Sequence, residues 1–183
     1  MAGKEINTIS HLRTEGQLRR LTIGEVALAR PIFGNYINYS KVWIHYDSYL
    51  PFGAQDKYTA MTPNGELYFR GPLYCDDFSV EVPAKKHLFI HEMTHVWQYQ
   101  NGVWVKLRGS MSWAANYHYD FKGKIRLSEY SMEQQAALIA DYFYLLNYGE
   151  AEWGGHQDLY YNGDINENVS SFYKLILTDF PNY

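Results

Sequence analysis

The stretch Pro83-Ala84-Lys85-Lys86-His87-Leu88-Phe89-Ile90-His91-Glu92-Met93-Thr94-His95-Val96-Trp97-Gln98-Tyr99-Gln100-Asn101-Gly102 organises the rest of the chain. From Ala84 to Gln100 it holds neither Gly nor Pro. Pro83 suits the first helical position and Gly102 closes the run, so the segment predicts a helix over 84–100. Leu88, Phe89, Ile90, Val96 and Trp97 crowd this helix with apolar side chains, which makes it substantially buried. The polar group His91, Glu92 and His95 then needs a purpose inside it.

Residues four apart on a helix stand one turn above each other on one face, so His91 and His95 can aim two imidazoles at one metal ion. Glu92 is rotated by about 100° from His91, which suits a carboxylate that works beside the ion without capturing it. Zinc is the metal this donor set serves best. It would polarise a scissile carbonyl and acidify water, with Glu92 as the general base that later protonates the leaving amine.

A catalytic zinc takes three protein ligands and keeps one position open. The extended motif that supplies its third histidine six residues on is excluded, because Gln98 and Asn101 stand where it needs Gly and His. Among downstream residues Glu133 is preferred. It starts a predicted helix with Ser131 as N-cap and Gln134 three residues on, and Ala136, Ala137 and Ala140 would let that helix approach the first closely. Glu129, His118 and His156 are the alternatives. A donor for a developing oxyanion is sought among Tyr117, His118, Tyr119 and Tyr130. His118 and Tyr119 are assigned as its candidates beside Glu92.

Working outward, Thr22 and Glu25 have capping-box spacing ahead of a helix expected over Ile23 to Phe33, which ends at Gly34. Lys41 to Tyr46 alternates like a strand. Lys57 to Met61 and Glu66 to Arg70 flank the turn signal Pro63-Asn64-Gly65, so the middle of the chain predicts a small antiparallel sheet. Glu66 to Arg70 would be either an edge strand open to an extended substrate backbone or a buried hairpin strand. The third helix is expected to stop at Gly149. Apolar residues from Val169 to Phe180 recur at helical spacing. Residues 1–20 read as a polar lead-in or linker, and 21–183 as one domain. The fold class is α+β: a small sheet on an active-site helix, with further helices C-terminal to it.

Composition narrows the function. The chain has 183 residues, 46% of them hydrophobic, with 18 Tyr, 5 Trp and 9 Phe, enough to bury a core and to argue against disorder. Its net charge of -4 comes from dispersed residues with no basic block, which argues against nucleic-acid binding. Cys75 is the single cysteine, so neither an internal disulfide nor a cysteine-clamped zinc is available. The first twenty residues hold no apolar run suited to a signal peptide or membrane span, so general secretory export is not expected.

The two linked motifs, Phe89 to Gln98 and Tyr130-Ser131-Met132-Glu133-Gln134-Gln135-Ala136, resemble a metallopeptidase-like toxin domain of bacterial Rhs and VgrG-type proteins of the type VI secretion system. Leu21 to Gly34 and Ala60-Met61-Thr62-Pro63-Asn64-Gly65 share in the resemblance, which covers most of the chain beyond residue 20. It implies a zincin-like fold with His91, His95 and Glu133 holding one zinc ion and Glu92 as base. It also implies delivery by the spike apparatus to a rival's periplasm, a protein or peptide substrate there, and a cognate immunity protein. The lead-in would be a remnant of a spike or Rhs fusion, or the start of a stand-alone effector. One departure stands out. Thermolysin-like zincins carry an Asp four residues after the third ligand, whereas Ala137 is there and Asp141 follows a turn later. The group that would orient the histidines is thus unassigned. A zinc-dependent amidase of peptidoglycan, and a non-catalytic, zinc-stabilised binding domain with a Tyr-rich surface, are the competing functions.

Overall fold

Thr22 caps helix α1 (Ile23–Phe33), its hydroxyl accepting from the Glu25 amide while the Glu25 carboxylate accepts from the Thr22 amide. The helix matches its expected span. The same carboxylate is fully buried, so it needs a countercharge, and Arg19 supplies one through paired bonds of 2.7 and 2.8 Å. Phe78 adds a backbone donor at 3.0 Å. Removing one partner of a buried pair strands the other. Glu25→Ala is therefore expected to lower the unfolding free energy by about 3 kcal/mol, read from the urea midpoint at constant slope.

Arg19 belongs to strand β1 (Gln17–Arg20), in a computed structural model that describes residues 14–102, 116–156, 159–164 and 168–182. The lead-in expected over 1–20 is corrected at its end, since residues 17–20 join the sheet; residues 1–13 lie outside the described ones. β1 runs antiparallel to β2 (Trp43–Tyr46), and β2 runs parallel to β3 (Leu67–Phe69). The sheet is thus mixed, where an antiparallel one was expected.

The reason lies in Gln55, whose side chain is buried. Its amide nitrogen donates to the carbonyls of Thr59 and Tyr68, doing what a ladder would do and leaving the run from Lys57 as a turn. Only Met61 of that run pairs with β3, through two backbone bonds with Tyr68. The outer edge of β3 is closed there, which removes Tyr68 from any open-edge role.

Ile44, Leu67 and Phe69 point from the sheet into the core. The rings of Phe69, Phe78 and Phe89 then follow at 4.7 and 5.2 Å, carrying the core onto helix α2 (Pro83–Gln100). α2 packs chiefly on α3 (Met132–Gly155), where Ala136, Ala137 and Ala140 are fully buried and allow the close approach their size predicts. Gly149 breaks the helical backbone at φ 82°, but α3 resumes beyond it instead of ending. α4 (Val169–Ile176) closes the other side of α3 through Tyr173. Among the described residues the architecture is α+β, a three-stranded sheet and four α-helices. No helix among the described residues is long and apolar enough to cross a membrane.

Candidate metal centre

The close α2–α3 contact brings Glu133, in the first turn of α3, onto the histidine face of α2. Glu133 Oε2 lies 3.3 Å from His91 Nε2 and 3.1 Å from His95 Nε2. Ligands about 2.0–2.1 Å from a tetrahedral zinc are separated by roughly 3.3 Å, so both Glu133–histidine distances suit that ion, and all three donor atoms lie within 4.8 Å of one another. Both histidines are buried and Glu133 is partly exposed, which leaves an open side. Among the described residues this is the one group of three or more such donors close enough to share an ion.

Gln98 sets the orientation of His95. Its amide nitrogen donates to the Met132 carbonyl and to Gln135 Oε1, both at 3.1 Å, so its oxygen must face His95 Nδ1 at 2.8 Å. His95 then carries its proton on Nδ1 and offers the Nε2 lone pair to an ion. Gln135 in turn donates to the Tyr130 carbonyl, which ties the start of α3 to the same face of α2. His91 Nδ1 has no hydrogen-bond partner among the described residues, and aromatic packing by Tyr117 and Tyr160 at 5.7 and 6.0 Å flanks its ring.

The electrostatics suit a cation. Burial disfavours charge on His95, yet the Glu133 carboxylate overcomes it and raises the imidazole to about 9 without an ion. Burial likewise works against a charged Glu133, but His95 and His91 hold its carboxyl well below the ordinary range. A dication would replace one proton in a pocket already shaped around positive charge.

Glu92 stands outside this ligand set, its carboxylate accepting a 2.6 Å bond from the Thr62 hydroxyl. The displaced acid of α3, Asp141, is also accounted for. It is fully buried and accepts from His87 Nε2 at 2.7 Å, the Tyr119 hydroxyl at 2.8 Å and the Tyr160 amide at 3.1 Å. His87 precedes His91 by one turn, so the acid two turns along α3 meets a histidine one turn earlier on α2. Moving forward along α3 leads backward along α2 because the helices run together in opposite directions.

The remaining candidates fall elsewhere. Tyr119 is corrected as an oxyanion donor: its hydroxyl is held in the core by Asp141 and Tyr173, and burial, with those two neighbours adding to it, pushes its pKa well above the ordinary value. His118 is exposed, with its ring 6.0 Å from Tyr160 and its carbonyl taking the Gln134 amide, so it sits on the rim and not over His91. Glu129 accepts from the amides of Ile125 and Arg126 and closes its own turn. His156 packs against Tyr144 and near His87. The Tyr130 hydroxyl donates to the Asp120 carbonyl.

Tyr117 is the tyrosine of the group whose ring faces His91. Burial raises its hydroxyl pKa well above the ordinary value, and the charges of Glu133 and Glu92 add to the shift, which sets it beside both carboxylates as a protonated donor. A separate cleft of about 410 Å³, lined by Trp97, Leu127 and Phe180 among others, includes none of the three donors. Donor chemistry, and not volume, marks the site.

No protein-family model matches the chain. Its relatives place it among the effector domains of type VI secretion. The solved effector domain of Pseudomonas aeruginosa VgrG2b is 36% identical, with a TM-score of 0.66 over 84% of this chain and 89% of that one. The type VI secretion system spike protein VgrG2b of the same organism is 41% identical over 73% of this chain, which spans 14% of that protein's length. The chain belongs to the VgrG2b effector-domain family.

Proposed function

We propose that the chain is a single-zinc hydrolase of peptide bonds with a zincin-like fold, acting as the toxic part of a type VI effector. The convergence of His91, His95 and Glu133 within ligand distance of one another carries this reading. Bound there, zinc would supply a Lewis acid that polarises a carbonyl and lowers the pKa of water. Glu92 takes the proton of that water and returns it to the leaving nitrogen. Tyr117, kept protonated, donates to the oxygen that gains charge, and its stack with Tyr160 at 5.3 Å forms an aromatic wall beside His91. Membership of a spike protein's effector family supports delivery on or with a spike into a rival's periplasm, where an immunity protein would protect the producer.

The zinc-loaded chain, incubated in parallel with an unfolded protein such as casein and with purified peptidoglycan, is expected to cleave the protein. Release of muropeptide amines with casein intact would move the reaction to cell-wall amides. Inertness toward both, with zinc bound, would favour the non-catalytic binding domain.

A further inference from the structure

The carboxylate of Glu92 is buried, at 5% exposure, and it accepts a hydrogen bond from a distant part of the chain. Thr62, 1% exposed, stands in the tight segment Met61-Thr62-Pro63-Asn64-Gly65 and places its hydroxyl 2.6 Å from Glu92 Oε2. Three features fix that hydroxyl. Met61 is pinned to β3 by two backbone bonds with Tyr68, at 2.8 and 3.1 Å. Pro63 locks the backbone on the other side and holds Thr62 in an extended conformation. Gly65, at φ 73°, lets the turn close onto Tyr99 of α2, where a Cβ would stand 2.5 Å from the ring.

Glu92 and Tyr99 are seven residues apart and so share one face of α2, about two turns from each other. The segment therefore lies along the helix and touches it at both points. A hydroxyl held by this clamp is a stationary donor and not a mobile surface group.

We propose that Thr62 is a positioning residue for the general base, a role that rests on the catalytic reading above. Its hydroxyl donates to Oε2, which keeps one lobe of the carboxylate occupied, turns Oε1 toward the open side of the site and stops Glu92 from swinging onto the ion as a fourth ligand. A β-branched threonine suits this better than a serine, because its methyl group restricts χ1 and so aims the hydroxyl.

The variants Thr62→Val, nearly isosteric but without the hydroxyl, and Thr62→Ser, which keeps it, test the role in the zinc-loaded chain. Hydrogen bonds to charged groups are strong enough that Thr62→Val is expected to lower kcat on casein by roughly 10- to 100-fold, with KM nearly unchanged. Thr62→Ser should restore most of the loss, and both variants should bind one zinc ion. Independently of turnover, the Thr62 hydroxyl proton of the metal-free chain should give a slowly exchanging NMR signal that Glu92→Ala abolishes. A parent that hydrolyses casein, with Thr62→Val equally fast, overturns the positioning role alone. So does a Thr62→Val chain that loses zinc or fold, if Thr62→Ser loses them too, since the threonine would then be structural. A parent inert on both casein and peptidoglycan sinks the catalytic reading itself and the positioning role with it, and the hydroxyl signal would then report a contact without that function; a parent active on peptidoglycan alone moves the same comparison of variants to that substrate.

Discussion

Glu92→Ala is expected to bind zinc and to melt close to the parent while losing hydrolysis by about 10²- to 10⁴-fold, the usual contribution of a positioned general base. The three candidate ligands are His91, His95 and Glu133, and Glu92 is not among them, so the metal should stay. The fold should stay because the substitution removes a buried charge together with its need for a partner. What it leaves behind is an unpaired Thr62 hydroxyl, at a cost of about 1 kcal/mol. Sent to the periplasm behind a fused signal peptide, the parent should arrest growth and the variant should not. Metal analysis and a thermal melt run on the same preparation separate lost chemistry from lost structure. A variant with parental toxicity would mean that Glu92 is not the base.

The local signals in this sequence were legible and the long-range ones were not. The capping pairs Thr22 with Glu25 and Ser131 with Gln134, and Pro83 at the first helical position, gave the starts of three helices, because each is decided within four residues. The parallel pairing of β2 with β3 could not be read the same way. It depends on Gln55, one glutamine whose amide replaces a strand, and no periodicity announces such a substitution. At the site, His91, Glu92 and His95 share one helix and carry their own spacing. Gln98, three residues beyond His95, and His87, four before His91, lie on the same face and could have been found from that spacing alone. Asp141 was visible as a displaced acid and Thr62 only as part of the Ala60 to Gly65 segment, but their partners, like the place of Tyr160, are set by the tertiary fold and could not be read from spacing. Tyr119 misled because closeness in sequence to Tyr117 is not a shared environment: alternate residues of a regular strand would share a face, yet Tyr117 packs on His91 while the Tyr119 hydroxyl is held in the core by Asp141 and Tyr173.

Glu133→Ala is expected to weaken zinc binding by at least about 100-fold, since losing a ligand should cost no less than the 10- to 100-fold typical of losing a ligand's supporting contact. The proton count makes the test specific. In the metal-free parent His95 holds a proton up to about 9, because Glu133 outweighs the cost of burying that charge. An ion needs the Nε2 lone pair, so binding at neutral pH must expel the proton. Parental affinity should therefore rise about tenfold per pH unit below 9 and level off above it, with close to one proton released per ion in calorimetry across buffers of different ionisation enthalpy. Removing Glu133 withdraws the charge that held the proton, and burial then drives His95 toward the neutral form. The variant should bind weakly, release fewer protons and show a flatter pH dependence.

The same pair sets the stability of the metal-free chain. A histidine raised from 6.5 to about 9 contributes stability that is complete below 6.5 and is lost as pH rises through 9. The depressed carboxyl of Glu133 works in reverse, contributing above its ordinary value of 4.5 and failing in acid. The metal-free parent should thus lose stability between pH 6.5 and 9, and Glu133→Ala should not. If instead the variant kept one tightly bound zinc with an unchanged proton release, the third ligand would have to be sought at Glu129, His118 or His156. The approach of α3 to α2 would then serve packing alone.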